Sequence, residues 1–287
     1  MLGRAMKLIA TLFALVLALP TSAQKTAARE PIALARIGDG KPVCGLGKGF
    51  HAGRRAELRE RAGKELLVFR GLAGTRGNLA FRQDKNFWYL TGVESPEAAL
   101  VLDGKGDKEI LFLPEENKRA ESWNGEIWDA KDEWVKELTG FEQVRPTGEL
   151  ANTLKELVKE GSTVWIAKMP WVALSGCRDR AEPFDQRVIR DPFDGRKSRE
   201  DKLEEQLVDK FKCEVKGLDA VLDGLRLVKT QEEITALRRA GRAGASAMVE
   251  AMRSTAPGVG EWEIAGVMSF IHQREGAAWK VAGYFIR

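Results

Sequence analysis

The chain has 287 residues, enough for about two domains at roughly 100–200 residues each. Hydrophobic residues make up 44% and charged residues 31%, which allows a sizeable core and excludes wholesale disorder. The net charge is +4, and Arg4 and Lys7 supply two of those charges; without them 44 basic residues face 42 acidic ones, interspersed as in Lys155-Glu156 and Lys159-Glu160, so no basic block marks a nucleic-acid partner.

Residues 1–23 have the form of a signal peptide. Arg4 and Lys7 give a positive start, 9–19 is an apolar run too short to span a bilayer comfortably, and Pro20 breaks it. Thr21-Ser22-Ala23 places small residues before a cleavage point. The expectation is a secreted or periplasmic protein with no membrane segment once cleaved. Residues 24–53 read as a linker. Their glycine-rich stretch, Cys44-Gly45-Leu46-Gly47-Lys48-Gly49, lacks the preceding strand and the closing Lys-Ser/Thr of a phosphate loop. The three cysteines, Cys44, Cys177 and Cys213, form no C-x-x-C pair. They leave open one disulfide of unspecified pairing or three small buried or loop thiols.

From Arg54 the texture becomes that of a folded domain. The spacing predicts a short helix over 54–62, a buried strand over 66–69, a glycine-rich loop over 71–78 and an aromatic strand over 87–90 ended by Thr91-Gly92. Two apolar strands, 98–102 and 110–113, flank the turn Asp103-Gly104-Lys105-Gly106-Asp107. Helices are expected over 134–138 and 150–158, a strand over 164–167 and a charged helix over 195–211, after which Leu218 to Leu222 leads into a connector. Strands alternating with helices make an α/β domain the default.

A long helix then opens at Thr230, whose pairing with Glu233 has the form of a capping box. Ile234, Leu237, Gly241, Ala245, Met248 and Met252 recur at helical steps and are read as its inward face. Pro257-Gly258 stops it. A second helix, 261–274, turns Ile264, Val267, Met268 and Ile271 inward, and 279–286 reads as a strand that begins a domain left incomplete at Arg287.

Three stretches resemble aminopeptidase P, of the pita-bread (creatinase) metallopeptidase superfamily. The first is Phe81-Arg82-Gln83-Asp84-Lys85-Asn86-Phe87-Trp88-Tyr89-Leu90-Thr91-Gly92 with Pro96 and Ala99-Leu100-Val101-Leu102, where Asn86 stands at a position commonly Asp. The second is Glu121-Ser122-Trp123-Asn124-Gly125. The third is Leu225-Arg226-Leu227-Val228-Lys229-Thr230-Gln231-Glu232-Glu233-Ile234 with Leu237-Arg238-Arg239-Ala240-Gly241, continued by Pro257-Gly258, Glu261 and Gly276-Ala277. Physically, the aromatic run also suits a plain core strand, Arg82 and Gln83 a satisfied polar edge, and the long helix a scaffold.

The resemblance implies an aminopeptidase P N-terminal α/β domain with a mixed sheet over 54–222, then the start of a pita-bread catalytic domain over 223–287. It implies a hydrolase that removes the N-terminal residue preceding proline, assembled as a homo-oligomer when full-length. Two divalent metal ions, expected to be manganese, would be held by two Asp, one His and two Glu that follow the strand at which this chain ends. The chain's own histidines, His51 and His272, match none of the family's catalytic positions. His272 and Glu275 share a helix face and read as a surface pair. No catalytic or metal-binding residue is therefore assigned, and the chain alone is expected to be inactive. Trp123 alone is carried over, as a substrate-binding residue reaching across a subunit interface toward a peptide with proline at its second position. The competing readings are a non-catalytic oligomerisation or peptide-binding module and a relative acting on another small substrate such as creatine.

Overall fold

The computed structural model of the chain describes residues 46–73, 81, 83–105, 107–124, 126–168 and 190–276. The segments expected to form the signal peptide and the final strand, together with Cys44, Arg82, Gly125 and Cys177, lie outside them. The described residues fall into two compact units, 46–242 and 243–276.

The first unit is built on a six-stranded sheet. Its strands are β1 (Leu66–Arg70), β2 (Ala99–Asp103), β3 (Lys108–Leu113), β4 (Gln143–Pro146), β5 (Thr163–Ile166) and β6 (Glu214–Gly217), in the order β4-β3-β2-β1-β5-β6. β2 is antiparallel to both neighbours, with Leu67 opposite Leu102 and Val101 opposite Ile110. The pairs β1–β5, β3–β4 and β5–β6 are parallel. Every strand except β2 therefore runs the same way, and five carboxyl ends share one edge of the sheet.

Helices cover both faces, which explains why the central strands read as unbroken apolar runs. Alternate residues separate cleanly. Leu67, Phe69, Leu100, Leu102, Leu111 and Leu113 face a core with Leu58 of α1 (Lys48–Ala62), Phe87 and Leu90 of α2 (Lys85–Thr91), Val135 of α4 (Glu133–Thr139) and Leu222 and Leu225 of α7 (Asp219–Leu227). Leu66, Val68, Val101, Ile110, Phe112, Val164 and Ile166 face the other core, with Leu154 of α5 (Leu150–Leu157) and Leu207 of α6 (Arg199–Phe211). The short α3 (Lys118–Asn124) follows β3.

The hairpin and the first strand stand where the sequence puts them, the charged helix begins at Arg199 rather than at 195, and other readings are corrected. The aromatic run 87–90 is helical. The Asp84 carboxylate accepts the N–H groups of Asn86 and Phe87 at 3.0 and 2.9 Å, and Gly92 (φ 73°) closes the helix with its N–H on the Trp88 carbonyl at 2.7 Å. A cap at each end decides between two conformations that the apolar run alone leaves open. The first helix begins at Lys48 rather than Arg54, so 48–53, read as linker, is helical, with Phe50 and His51 buried. The edge strands β4 and β6 went unread because their residues are polar or half-exposed. Residues 219–227 form α7, whose Leu222 and Leu225 are buried in the first unit's core.

α8 (Gln231–Ser254) begins in the first unit and runs into the second. Its capping box is present: Thr230 N–H donates to the Glu233 carboxylate at 2.8 Å and Glu233 N–H to the Thr230 hydroxyl at 3.3 Å. Its inward face differs from the one expected. Ala243, Ala247 and Ala251 are buried, whereas Leu237, Met248 and Met252 are exposed. In the second unit Ala247 and Ala251 pack on Met268, Ile271 and Ile264, mainly of α9 (Glu261–Arg274). Alanine lets two helix backbones approach closely, so the small residues take the seam that a search for large apolar residues assigns to methionine. His272, read as a surface residue, is buried on the same helix, while Glu275 pairs with Arg274 at 3.3 Å.

Candidate functional site

The three motif stretches converge on the first unit. The loop that follows β1 and the segment that follows β3 leave the sheet at the same edge, and Gln83 knits together the first of them. Gln83 is buried, and its side-chain oxygen accepts the N–H groups of Leu72 and Asp84 at 2.7 and 2.8 Å. Its amide nitrogen donates to the Ser95 carbonyl at 2.7 Å, and its backbone N–H donates to the Glu94 carboxylate at 2.9 Å. Gly71 passes so close that a Cβ there would lie 2.6 Å from the Gln83 amide. The Ser95 hydroxyl then donates to the Trp128 carbonyl at 2.7 Å, tying the first motif to the segment just beyond the second. Replacing Gln83 would strand the Leu72 and Asp84 N–H groups and the Ser95 carbonyl at once.

Trp123 lies on α3, and its side chain is outside the described residues. Its helix is placed from both ends. Asn117 caps it, accepting Ala120 N–H on its side-chain oxygen at 3.0 Å and Glu121 N–H on its carbonyl at 3.0 Å. The Glu121 carboxylate accepts Ile127 N–H at 3.3 Å beyond the helix end. The Trp128 and Trp134 rings meet edge to face at 5.2 Å. The exposed Glu116 carboxylate is held below the usual range by hydrogen bonds from Lys131 and Lys118.

The third motif touches the first directly. The Arg226 guanidinium donates to the Asn86 side-chain oxygen and lies 5.5 Å from the centre of the Tyr89 ring. Asn86, the mild departure from the family pattern, is thus the acceptor that joins the motifs. Burial pushes the Tyr89 hydroxyl up, tempered by Arg54. A small depression lies at the carboxyl ends of β1 and β5 and is lined by Arg70, Asp84, Asn86, Phe87, Ile166 and Glu200 among others. The chain leaving β1 goes to the face of α2 and that leaving β5 leads to the face of α6, so the depression occupies the sheet's topological switch point.

No group of three or more His, Cys, Asp or Glu side chains suited to a metal ion exists among the described residues. The donors that are present do not fit one. His51 Nδ1 is engaged by the Tyr89 carbonyl at 3.0 Å, with Arg55 one turn away. Cys213 is a free thiol, buried, donating to the Leu207 carbonyl at 3.2 Å, and burial pushes it up, away from the thiolate a metal needs. No helix of the described residues is long and apolar enough to cross a membrane.

A family model described as aminopeptidase P, N-terminal domain, matches residues 51–165. The chain is 27% identical over 238 residues to the Xaa-Pro aminopeptidase of Escherichia coli (strain K12), covering 79% of this chain and 49% of that protein. It is 27% identical over 181 residues to human Xaa-Pro aminopeptidase 3, covering 60% of this chain and 31% of the relative. Among solved structures it is similar to the proline aminopeptidase P II of Yersinia pestis (TM-score 0.62, 23% identity, 82% of this chain and 51% of that one). It is similar too to a zinc-substituted Escherichia coli aminopeptidase P in complex with product (TM-score 0.61, 24% identity, 82% and 51%). The chain spans about half the length of these relatives or less.

Proposed function

We propose that this chain is an aminopeptidase P N-terminal domain followed by part of the catalytic domain, and that it serves a metal-dependent Xaa-Pro aminopeptidase, which releases the N-terminal residue ahead of proline. One observation carries this reading. The likeness to the Escherichia coli Xaa-Pro aminopeptidase runs over 238 residues, so it extends well outside the 51–165 segment that the domain model matches.

In this reading the first unit is the positioning half of the enzyme. The Asn117 cap holds the start of the helix that bears Trp123, and Trp123 covers the proline-bearing peptide in a neighbouring subunit of a homo-oligomer. An indole suits that task because it offers a large, rigid apolar face. The bound metal pair, taken to be manganese, supplies the hydrolytic chemistry. On this reading the 287-residue polypeptide alone is expected to be inactive. Export directed by residues 1–23 belongs to the same proposal.

The test is hydrolysis of an Xaa-Pro dipeptide with added manganese, by the purified 287-residue chain and by the same chain carrying whatever coding sequence continues beyond codon 287 in any frame. Turnover by an extended chain alone is the expected result. Turnover by the 287-residue chain overturns its inactivity. Extended chains that fold without turnover overturn the aminopeptidase reading and favour a peptide-binding or oligomerisation module.

A further inference from the structure

His51 is a polar side chain in an apolar, crowded place. It is 2% exposed and stands edge to face with Phe50 at 5.2 Å and with Trp88 at 5.3 Å, so its ring is wedged between α1 and α2. Its Nδ1 lies 3.0 Å from the Tyr89 carbonyl. A carbonyl only accepts, so Nδ1 carries the hydrogen, and Nε2 is left as the bare lone pair. That Nε2 is buried with no hydrogen-bond partner. It rests on Gly92, where a Cβ would lie 2.8 Å away, so the glycine that ends α2 also makes room for the ring.

The charges around the ring are unfavourable to a proton. On its own helix stand Lys48, which donates to the Glu137 carbonyl at 3.3 Å, Arg54, paired with Glu57 at 3.1 Å, and Arg55 one turn on. Across the interface are the Tyr89 hydroxyl and, over that ring, Arg226 of α7; Glu233 of α8 acts on the Tyr89 hydroxyl. No carboxylate offsets the imidazole. Burial holds His51 below its ordinary value, opposed by the Tyr89 carbonyl, reinforced by Arg55 and opposed more weakly by the Leu46 carbonyl.

The two halves of α1 are held differently. The half after Gly53 is fixed by Arg55, which donates to Glu109 at 2.7 Å and to the Leu90 carbonyl at 2.8 Å and lies 4.0 Å from the centre of the Phe141 ring, and by the fully buried Leu58. The half before it rests on Phe50 and His51. Gly53, between them, weakens the helix relative to alanine.

We propose that His51 is a pH-sensitive latch, which keeps the opening turns of α1 on α2 while neutral and releases residues 46–53 on acidification, leaving the Arg55 half in place. A proton added at Nε2 would place a second positive charge beside Arg55 in a buried, largely apolar place. The sign follows from linkage. The unfolded histidine titrates near ~6.5 and the latched one lower, so the released state binds more protons. The latch is fully closed above about pH 6.5 and opens as pH falls from there through the lower folded value.

The chain contains two histidines, so imidazole NMR titration of the intact protein resolves them, with His272→Gln giving the assignment. The His51 signal should titrate below about 6.5. Amide exchange, corrected for its intrinsic pH dependence, should show protection of 50–53 falling from pH 7.5 to 5.5 while that of 56–62 holds. His51→Gln should abolish that differential. A His51 titration at or above the ordinary value, or equal loss along the helix, overturns the proposal. Should the variant not fold, the titration and the exchange profile of the unaltered chain still decide.

Discussion

The two units bury opposite kinds of residue. In the first, Phe69, Phe87, Leu100, Leu111 and Phe112 are at most 2% exposed, sealed between helices on both faces of the sheet. In the second, alanines fill the seam, while Met252 is 71% exposed, Trp262 78% and Phe270 62%. The first unit thus carries its own apolar core, whereas the helix pair buries little of what it owns. At about 25 cal/mol per Å² of apolar surface, stability should be concentrated in the sheet unit.

The largest effect should come from the sheet. Phe112→Ala removes a fully buried ring from the middle of the second face and should cost about 3–5 kcal/mol. Denaturant unfolding followed by circular dichroism measures it. A loss under about 1 kcal/mol would mean that the face is loosely packed and that the contrast between the units is smaller than burial suggests.

Next comes the helix that the sequence disguised. Asp84→Ala removes a carboxylate that accepts two backbone N–H groups and should cost about 1 kcal/mol, with Asp84→Asn recovering most of it. The comparison of the two variants in the same unfolding experiment isolates the cap from any effect of charge. Equal losses in both would put the stabilisation in the carboxylate charge rather than in capping.

Asp84 also shows where legibility stops. The β2–β3 hairpin could be read because two apolar runs flank a turn rich in glycine and aspartate, and the α8 capping box because its partners are three residues apart. Both signals are local. The 87–90 run was misread because four large apolar residues suit a strand or a helix equally, and the cap that chooses sits outside the run. The alanine seam was missed because it is defined by the facing helix. At the site, the motif around Trp123 was legible by likeness, but the role of Gln83 was not. Its partners, Leu72, Glu94 and Ser95, lie 11 or 12 residues away, in loops that only the folded sheet brings together. His51 shows the same limit, since nothing near it in sequence announces Trp88 or Gly92.

The smallest effect is the most pointed test of the contrast. Met252 belongs to the face of α8 that the sequence assigns to a core and the structure leaves exposed. A substitution at an exposed helix position, with no contact to lose, changes stability by no more than about 0.5 kcal/mol. Met252→Ser should therefore leave the unfolding midpoint of the 287-residue chain almost unmoved, while Ala247→Ser, which places a hydroxyl in the closed seam, should lower the protection of 243–254 amides in hydrogen exchange. If Met252→Ser instead costs more than about 1 kcal/mol, the side chain is covered in solution, and the helix pair has a core of its own after all. The position of a methionine relative to an alanine one turn away thus decides whether the second unit is stabilised by what it buries or awaits a surface to bury it against.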